Sequence, residues 1–376
     1  MLPPQLARPV RVLHLIANRW WTGGADPALD LARSLRRRGH EVLFACIGGD
    51  ALEAQARAAG LPPVETISLE RTARPWVLVR DLRGLRRLVT ERRVDLVHAH
   101  LTHDHWLTAL AIMGTGVRLV RTVHHRRALR RGPAARWLIG RTDQVIAVSS
   151  GIAAVARAAG VAADRLAVVG GAVDTARFVP GADGAAVRAE LGLGDRPVVG
   201  CVARLRPDRG HDVLLRAMAC LRARVPELRL LLVGRGEGRP AIDRLIEELD
   251  LRETVVLAGY RGPDLPAVLT AMDCFALLQG GSEESCRAAL EAMAAGRPVV
   301  AGRTGALPDT VVDGETGWVV DGGPEAVAER VGRVLANRTR AEAMGAAGRR
   351  RVEALFTSER RAVLAEGVYA RALGRS

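Results

Sequence analysis

Residues 273–302, DCFALLQGGSEESCRAALEAMAAGRPVVAG, decide how this chain is read, because a strand, a polar loop and a helix follow one another there. The apolar run 275–278 predicts a buried strand, 279–284 a Gly-containing loop and 285–295 a helix of good helix formers. Gly296 ends that helix and Pro298 confirms the stop. A loop that leaves the carboxyl end of a strand and enters a helix presents unpaired N–H groups and a positive dipole end, a setting that favours phosphate. Glu283 falls just before the helix and Glu291 about two turns inside it, so the two carboxylates have different tasks. A carboxylate can accept hydrogen bonds from two vicinal hydroxyls of a sugar ring or a ribose. The plainer alternative makes Glu283 an N-terminal helix charge and Glu291 a solvated surface residue.

The rest of the chain supplies the setting for that loop. Its 376 residues, 48% hydrophobic, suffice for two domains with full cores, and regular alternation of helix and strand patterns predicts α/β architecture. Cys46, Cys201, Cys220, Cys274 and Cys286 are odd in number and show no C-x-x-C spacing, so they read as core thiols in a reducing compartment. The apolar run 10–17 is broken by Arg11 and His14 and is too short for a signal core or a spanning helix, which predicts a cytoplasmic protein. All 55 basic residues are arginine. Without lysine there is no Schiff base to pyridoxal phosphate and no Walker-type phosphate loop. Residues 1–174 hold 26 Arg against 14 acidic residues, and residues 175–376 hold 29 against 27. Two Tyr and four Phe, without aromatic-basic interleaving, argue against nucleic acid. An anionic acceptor, or peripheral contact with an anionic inner membrane leaflet, suits the basic first half better.

In the first half, 10–17 reads as a central parallel strand, followed by the Gly23-Gly24 turn and a helix over 28–38. Glycine there lets backbone approach a ligand, although a turn also needs Gly for its own conformation. Residues 75–93 place Trp76, Val79, Leu82, Leu85, Leu88 and Val89 on one helical stripe flanked by arginines, which predicts a core-facing helix with a basic outer face; a membrane-touching helix is the alternative. Strands over 95–99 and 119–123 end in His100 and in His124-His125, with His103 and His105 close by and a basic cluster from Arg126 to Arg136 after them. The spacings fit no metal motif, so these imidazoles read as neutral donors and acceptors in a cleft.

The low-complexity stretch 180–195 reads as a linker. A second alternating series follows, with strands over 198–203, 228–233, 254–258, 274–278 and 298–301. Two mononucleotide-type domains in tandem would place a cleft between the carboxyl ends of both sheets. Arg204 and Arg209 leave the first of these strands, and a guanidinium binds diphosphate through paired N–H groups without losing its charge. Gly234 and Gly236 follow a strand but lack the full dinucleotide spacing.

The spacing E-x7-E, followed by LEAMAAGRPVVA and TGALPDTVVDGETGWVV, resembles the family-4 retaining glycosyltransferases of the GT-B fold, and the likeness runs in the family's order from Val10 to about Val320. The resemblance implies two Rossmann-like domains with parallel sheets: an acceptor domain over 1–180, with a last helix over 358–376 packing back on it, and a nucleotide-sugar donor domain over 181–357. It implies that Arg204 and Arg209 hold the donor diphosphate, Glu291 the ribose and Glu283 the sugar hydroxyls, with His124 approaching the reacting ring. Gly23, Gly24, Gly234, Ser282, Ser285, Cys286 and Arg287 belong to the same donor site, and the Tyr260-Arg261 turn to the base. His100, with His103 and Arg126, falls near the acceptor. The chain departs from the family pattern at Gly171-Ala172-Val173-Asp174, where Asn-Gly-Val-Asp is usual, at Glu284-Ser285, and at Arg209, where the family has Lys.

These readings predict a metal-independent retaining transferase, with no cofactor, that moves a sugar from a nucleotide-diphosphate donor to a hydroxyl acceptor in a cell-envelope glycolipid, a polysaccharide or a small glycoside. Helix N-termini and arginines would stabilise the departing diphosphate. A sugar-nucleotide epimerase of the same fold and a non-catalytic nucleotide-sugar-binding protein are the alternatives.

Overall fold

The computed structural model describes residues 6, 8–20, 24–72, 74–129, 132–279 and 286–374. They fall into a first unit, residues 1–171 and 358–376, and a second unit, residues 172–281 and 285–357. Gly23, Ser282, Glu283, Glu284 and Ser285 lie outside the described residues.

The first unit is built on strands β1 (Arg11–Ile16), β2 (Glu41–Cys46), β3 (Leu96–Ala99), β4 (Arg118–Val123), β5 (Gln144–Ala147) and β6 (Leu166–Val168). They form one sheet in the order β2-β1-β3-β4-β5-β6, and every pairing is parallel. A parallel sheet is covered on both faces, so its strands are apolar on both. Leu13, Leu15, Val97 and Leu119 meet Leu85 and Val89 of helix Pro75–Glu91 and Leu107 of helix Thr102–Ala111. Val12, Leu96, Val120 and Ile146 point the other way and meet helix Ser358–Ala372 through Ala365, Val368 and Tyr369. With side chains alternating at period two, the second set continues towards the carboxyl ends as His14, His98, His100 and Thr122, all buried. The register places His14 beside His98.

Helix Ser358–Ala372, from the far end of the sequence, is tied to the first unit by charge as well as apolar contact. Arg361 pairs with Asp30 at 2.6 Å, and Ser358 Oγ donates to the same carboxylate at 2.7 Å. The buried Glu366 carboxylate accepts from Arg38 Nη2 and bonds His40 Nε2, each at 2.9 Å. A buried charge is tolerated where partners of this kind surround it.

Helix Pro75–Glu91 departs from the expected full core-facing stripe. Leu85, Leu88 and Val89 are buried, but Trp76 and Val79 are exposed. At about 100° per residue Trp76 falls half a turn and Val79 a third of a turn away from Leu85, so both lie off the buried stripe. Asp81 lies on the buried side and accepts from Ser68 N, Ser68 Oγ and Leu69 N, at 3.1, 2.8 and 3.0 Å.

The second unit holds β7 (Val198–Val202), β8 (Arg229–Val233), β9 (Val255–Gly259), β10 (Cys274–Leu277), β11 (Val299–Gly302) and β12 (Gly317–Val320) in the parallel order β12-β11-β10-β7-β8-β9. The five strands expected here form within two residues of their predicted ends. The sixth, β12, escaped the pattern because it is four residues long and half-buried at Trp318 and Val319. The stretch 180–195, expected as a linker, contains helix Gly184–Glu190, capped by Asp183, which accepts from Ala186 N at 3.1 Å. Val187 and Leu193 anchor it in the core with Phe178, Val198 and Leu269.

Candidate active site

In the first unit, three parallel strands deliver their histidines to one place. Rings of His98 and His100 stack with centroids 4.4 Å apart, and His14 lies 4.9 Å from the first and 5.3 Å from the second. His100 Nδ1 is 3.3 Å from His124 Nε2, so the structure brings together the two imidazoles expected near sugar and acceptor. His100 and His124 border a pocket with Pro27, Thr122, Gly170 and Gly171. His103 is half-buried on the first turn of helix Thr102–Ala111, and Arg126 is exposed in the turn after β4. Gly24 caps helix Ala25–Arg37 and has open space where a Cβ would stand.

Burial decides the charge of these rings. It pushes His14 down to about 3, with Arg361 adding to the effect. It holds His98 and His100 well below the ordinary histidine value, with the neighbouring imidazoles and Arg121 acting the same way. All three are therefore neutral at neutral pH. The sequence reading missed His14, His98 and Asp104. Asp104 accepts from Ala17 N, His100 N and Leu101 N at 2.9, 3.2 and 2.7 Å, and so pins the ends of β1 and β3. Its signal was local: an aspartate at the third helical position, three residues after the N-cap Leu101. Burial pushes the Asp104 carboxyl up, while the buried cation Arg121 and those three N–H groups oppose it.

In the second unit, β7 and β10 are neighbours in the sheet, and the loops that follow them meet. Gly210, left-handed at φ 72°, faces Leu278 and Gln279 so closely that a Cβ would sit 3.1 and 3.2 Å from their side chains. The turn carrying Arg209 thus abuts the end of β10. Arg209 is buried and lies 3.8 Å from Asp208, whereas Arg204 is exposed and paired with Glu237 at 3.1 Å. Gly234, at φ 147°, is fixed by close packing: a Cβ would stand 2.0 Å from the Ala203 carbonyl oxygen. Tyr260 is exposed, while the Arg261 side chain is engaged by Glu190 at 2.6 and 2.7 Å and by Asp264.

The helix expected over 285–295 spans Arg287–Ala294, and Cys286 precedes it, buried and left-handed at φ 53°. Glu291 is buried, contrary to its plainer reading as a solvated residue, and accepts from Arg287 Nε at 2.8 Å. Burial pushes its carboxyl up, with Arg287 and Arg177 opposing. The pair on one helix face holds the carboxylate in a fixed direction.

The neutral histidines carry a stability consequence. Unfolding exposes rings that protonate near 6.5, while the folded rings stay neutral, so the unfolded chain binds more protons as pH falls below that value. Stability is complete above it and is lost on acidification, by about 1.4 kcal/mol per pH unit for each such ring. The melting temperature of the protein should fall steeply below pH 6.5, and His14→Phe should make that slope shallower by one proton. A slope unchanged by the substitution would mean that the ring is not held neutral.

Residues 185–351 match the family model described as glycosyl transferases group 1, and residues 22–177 match that of glycosyltransferase family 4. Over 330 residues, 82% of this chain and 83% of the relative, the sequence is 35% identical to the GDP-mannose-dependent alpha-(1-6)-phosphatidylinositol monomannoside mannosyltransferase of Mycobacterium tuberculosis. The protein so named in Mycolicibacterium smegmatis is 46% identical over 186 residues, 47% of this chain and 49% of the relative. The D-inositol 3-phosphate glycosyltransferase of Nocardia farcinica is 34% identical over 294 residues, 67% of this chain and 61% of the relative. Among solved structures, Anabaena Alr3699/HepE in complex with UDP-glucose superposes with a TM-score of 0.80 at 22% identity, covering 96% of this chain and 99% of that one. A glycosyltransferase from Rickettsia africae superposes at 0.84 with 19% identity, covering 98% of this chain and 100% of that one; likenesses this distant speak for the fold. The chain belongs to family 4 of the glycosyltransferases and is an enzyme of the GT-B fold that draws its sugar from a nucleotide-sugar donor.

Proposed function

We propose that this chain is a retaining, metal-independent hexosyltransferase, with GDP-mannose as its donor and an inositol-phosphate-bearing lipid hydroxyl as its acceptor. The observation that carries the reading is the 35% identity over 82% of the chain to a mannosyltransferase whose name gives both GDP-mannose and a phosphatidylinositol mannoside. In role terms, Arg204 and Arg209 hold the diphosphate, Glu291 the ribose, Glu283 the sugar hydroxyls and His124 the reacting ring. Ser282, Ser285, Cys286 and Arg287 serve the donor, and His100, His103 and Arg126 the acceptor. The contact of the Arg209 turn with the end of β10, and the buried Glu291–Arg287 pair, support those donor roles. Guanidiniums that keep their charge suit a diphosphate leaving without a metal ion.

Contact with an anionic membrane follows from the same reading. Trp76, Leu78 and Val79 are exposed by 66%, 42% and 42% at the start of helix Pro75–Glu91. Arg83 and Arg87, seven and eleven residues beyond Trp76, continue the same helix face and are also exposed. An aromatic and aliphatic edge beside cations suits insertion at a lipid headgroup boundary. No helix among the described residues is long and apolar enough to cross a membrane.

GDP-mannose should stabilise the purified protein by about 2.7 kcal/mol at a hundredfold excess over its dissociation constant, with the shift lost in Glu291→Ala and Arg204→Ala. If the protein melts at the same temperature with GDP-mannose as without it, the donor assignment is wrong. Vesicles containing anionic phospholipid should bind the protein, and the double variant Trp76→Ala, Arg83→Glu should weaken binding about tenfold. Equal binding by wild type and variant would remove this helix from the membrane contact.

A further inference from the structure

Six side chains of the first unit form one unbroken hydrogen-bonded series. Thr122 Oγ1 lies 2.7 Å from His98 Nε2, and His98 Nδ1 lies 2.7 Å from the Tyr369 hydroxyl. That hydroxyl is 3.5 Å from His14 Nε2, His14 Nδ1 is 3.0 Å from His100 Nε2, and His100 Nδ1 is 3.3 Å from His124 Nε2. His14, His98 and His100 each spend both ring nitrogens inside the series. Thr122 and His124, its two ends, border the same pocket.

A neutral imidazole has one N–H and one bare nitrogen, and a phenol has one O–H. Burial keeps the three inner rings neutral and raises Tyr369 far above its ordinary value, so its proton stays. Each link needs one donor and one acceptor, and two arrangements satisfy them all while also using the Tyr369 proton. In the first, Thr122 O–H donates to His98, His98 Nδ1–H to Tyr369, Tyr369 O–H to His14, His14 Nδ1–H to His100, and His100 Nδ1–H to His124 Nε2. His124, when neutral, then carries its own proton on Nδ1. In the second every donor is reversed, from His124 Nε2–H back to Thr122. If His98 and His14 both donate to the Tyr369 oxygen, the phenol O–H is left with no acceptor in the series; every other mixture leaves a donor facing a donor or an acceptor facing an acceptor, and a dry interior penalises either heavily.

We propose that Thr122, His98, Tyr369, His14 and His100 are positioning residues that act as one unit to fix the tautomer of His124. The proposal rests on the assignment of His124 to the reacting sugar. A ligand group that bonds Thr122 selects the polarity of the whole series, and through it which proton His124 carries. A metal centre, the other use of clustered imidazoles, needs nitrogens that converge on one point at about 2.0–2.1 Å. Here the ring planes lie within 46° of parallel and the nitrogens face one another in sequence.

The test is ring 15N NMR on histidine-labelled full-length protein, where protonated and bare nitrogens give distinct shifts. In wild type His98, His14, His100 and His124 should carry matching tautomers, Nδ1–H in one arrangement or Nε2–H in the other. Tyr369→Phe, which removes the shared hydroxyl and keeps the ring, should uncouple them and leave His98 and His124 with different tautomer populations. The same variant should lower kcat for sugar transfer about tenfold with the donor KM unchanged. Thr122→Val should shift His98 and His124 together and Thr122→Ser should restore the wild-type tautomers, which keeps the test decisive if Tyr369→Phe folds poorly. Different tautomers at His98 and His124 in wild type, or an unchanged His124 in both folded variants, overturns the proposal, and so does stoichiometric zinc that is bound by wild type and lost in His14→Asn. The NMR result is read on the protein without substrate, so it stands apart from whether GDP-mannose is the donor.

Discussion

Three imidazoles buried in one sheet must stay uncharged, and the first unit is arranged around that requirement. His14, His98 and His100 lie on a face that begins with Val12, Leu96 and Val120, out of reach of water, with Arg121 and Arg361 near enough to oppose any added proton. Each ring must then find its donor and acceptor among its neighbours. The Tyr369 hydroxyl lies between His98 and His14, and Tyr369 belongs to the last helix of the chain. Docking of that helix, through Asp30 with Arg361 and through Glu366 with Arg38 and His40, is therefore part of how the histidine cluster is built. The cluster that borders this pocket includes a tyrosine 271 positions from His98 in sequence.

The second unit solves a different problem, that of holding charge. Its buried carboxylate Glu291 carries its own cation one helical turn earlier, and Arg209 sits on a turn pressed against the end of β10. Glycine at 234 has a packing reason, since any side chain there would run into the Ala203 carbonyl. Strand ends are where polar groups can gather without breaking the apolar interior, and Arg204 and Arg209, the residues assigned to the diphosphate, follow the end of β7.

Much of this was legible in the sequence because it is local. Period-two and helical patterns located the strands to within about two residues, and the E-x7-E run with its following text carried the family. What was not legible depends on strand order. His98-Ala99-His100 reads as two side chains on one face of a strand, but nothing in its spacing says that His14 lies beside it, since β1 and β3 become neighbours only through the sheet order. Tyr369 stands in an Ala- and Arg-rich stretch whose local pattern does not mark it. The stretch 180–195 read as a linker from its Gly and Ala content, although Val187 and Leu193 were enough to anchor a helix. The buried stripe Leu85, Leu88 and Val89 on helix Pro75–Glu91 was visible, but the helical repeat sets Trp76 and Val79 away from it, and the loop that Asp81 holds lies too far off in sequence to be read.

The central claim, that this chain is a retaining transferase, is tested most directly by the anomeric configuration of the sugar it transfers, read by proton NMR on the first product formed from a donor of known anomer. The account predicts that product and donor share one configuration. An inverted linkage would contradict it.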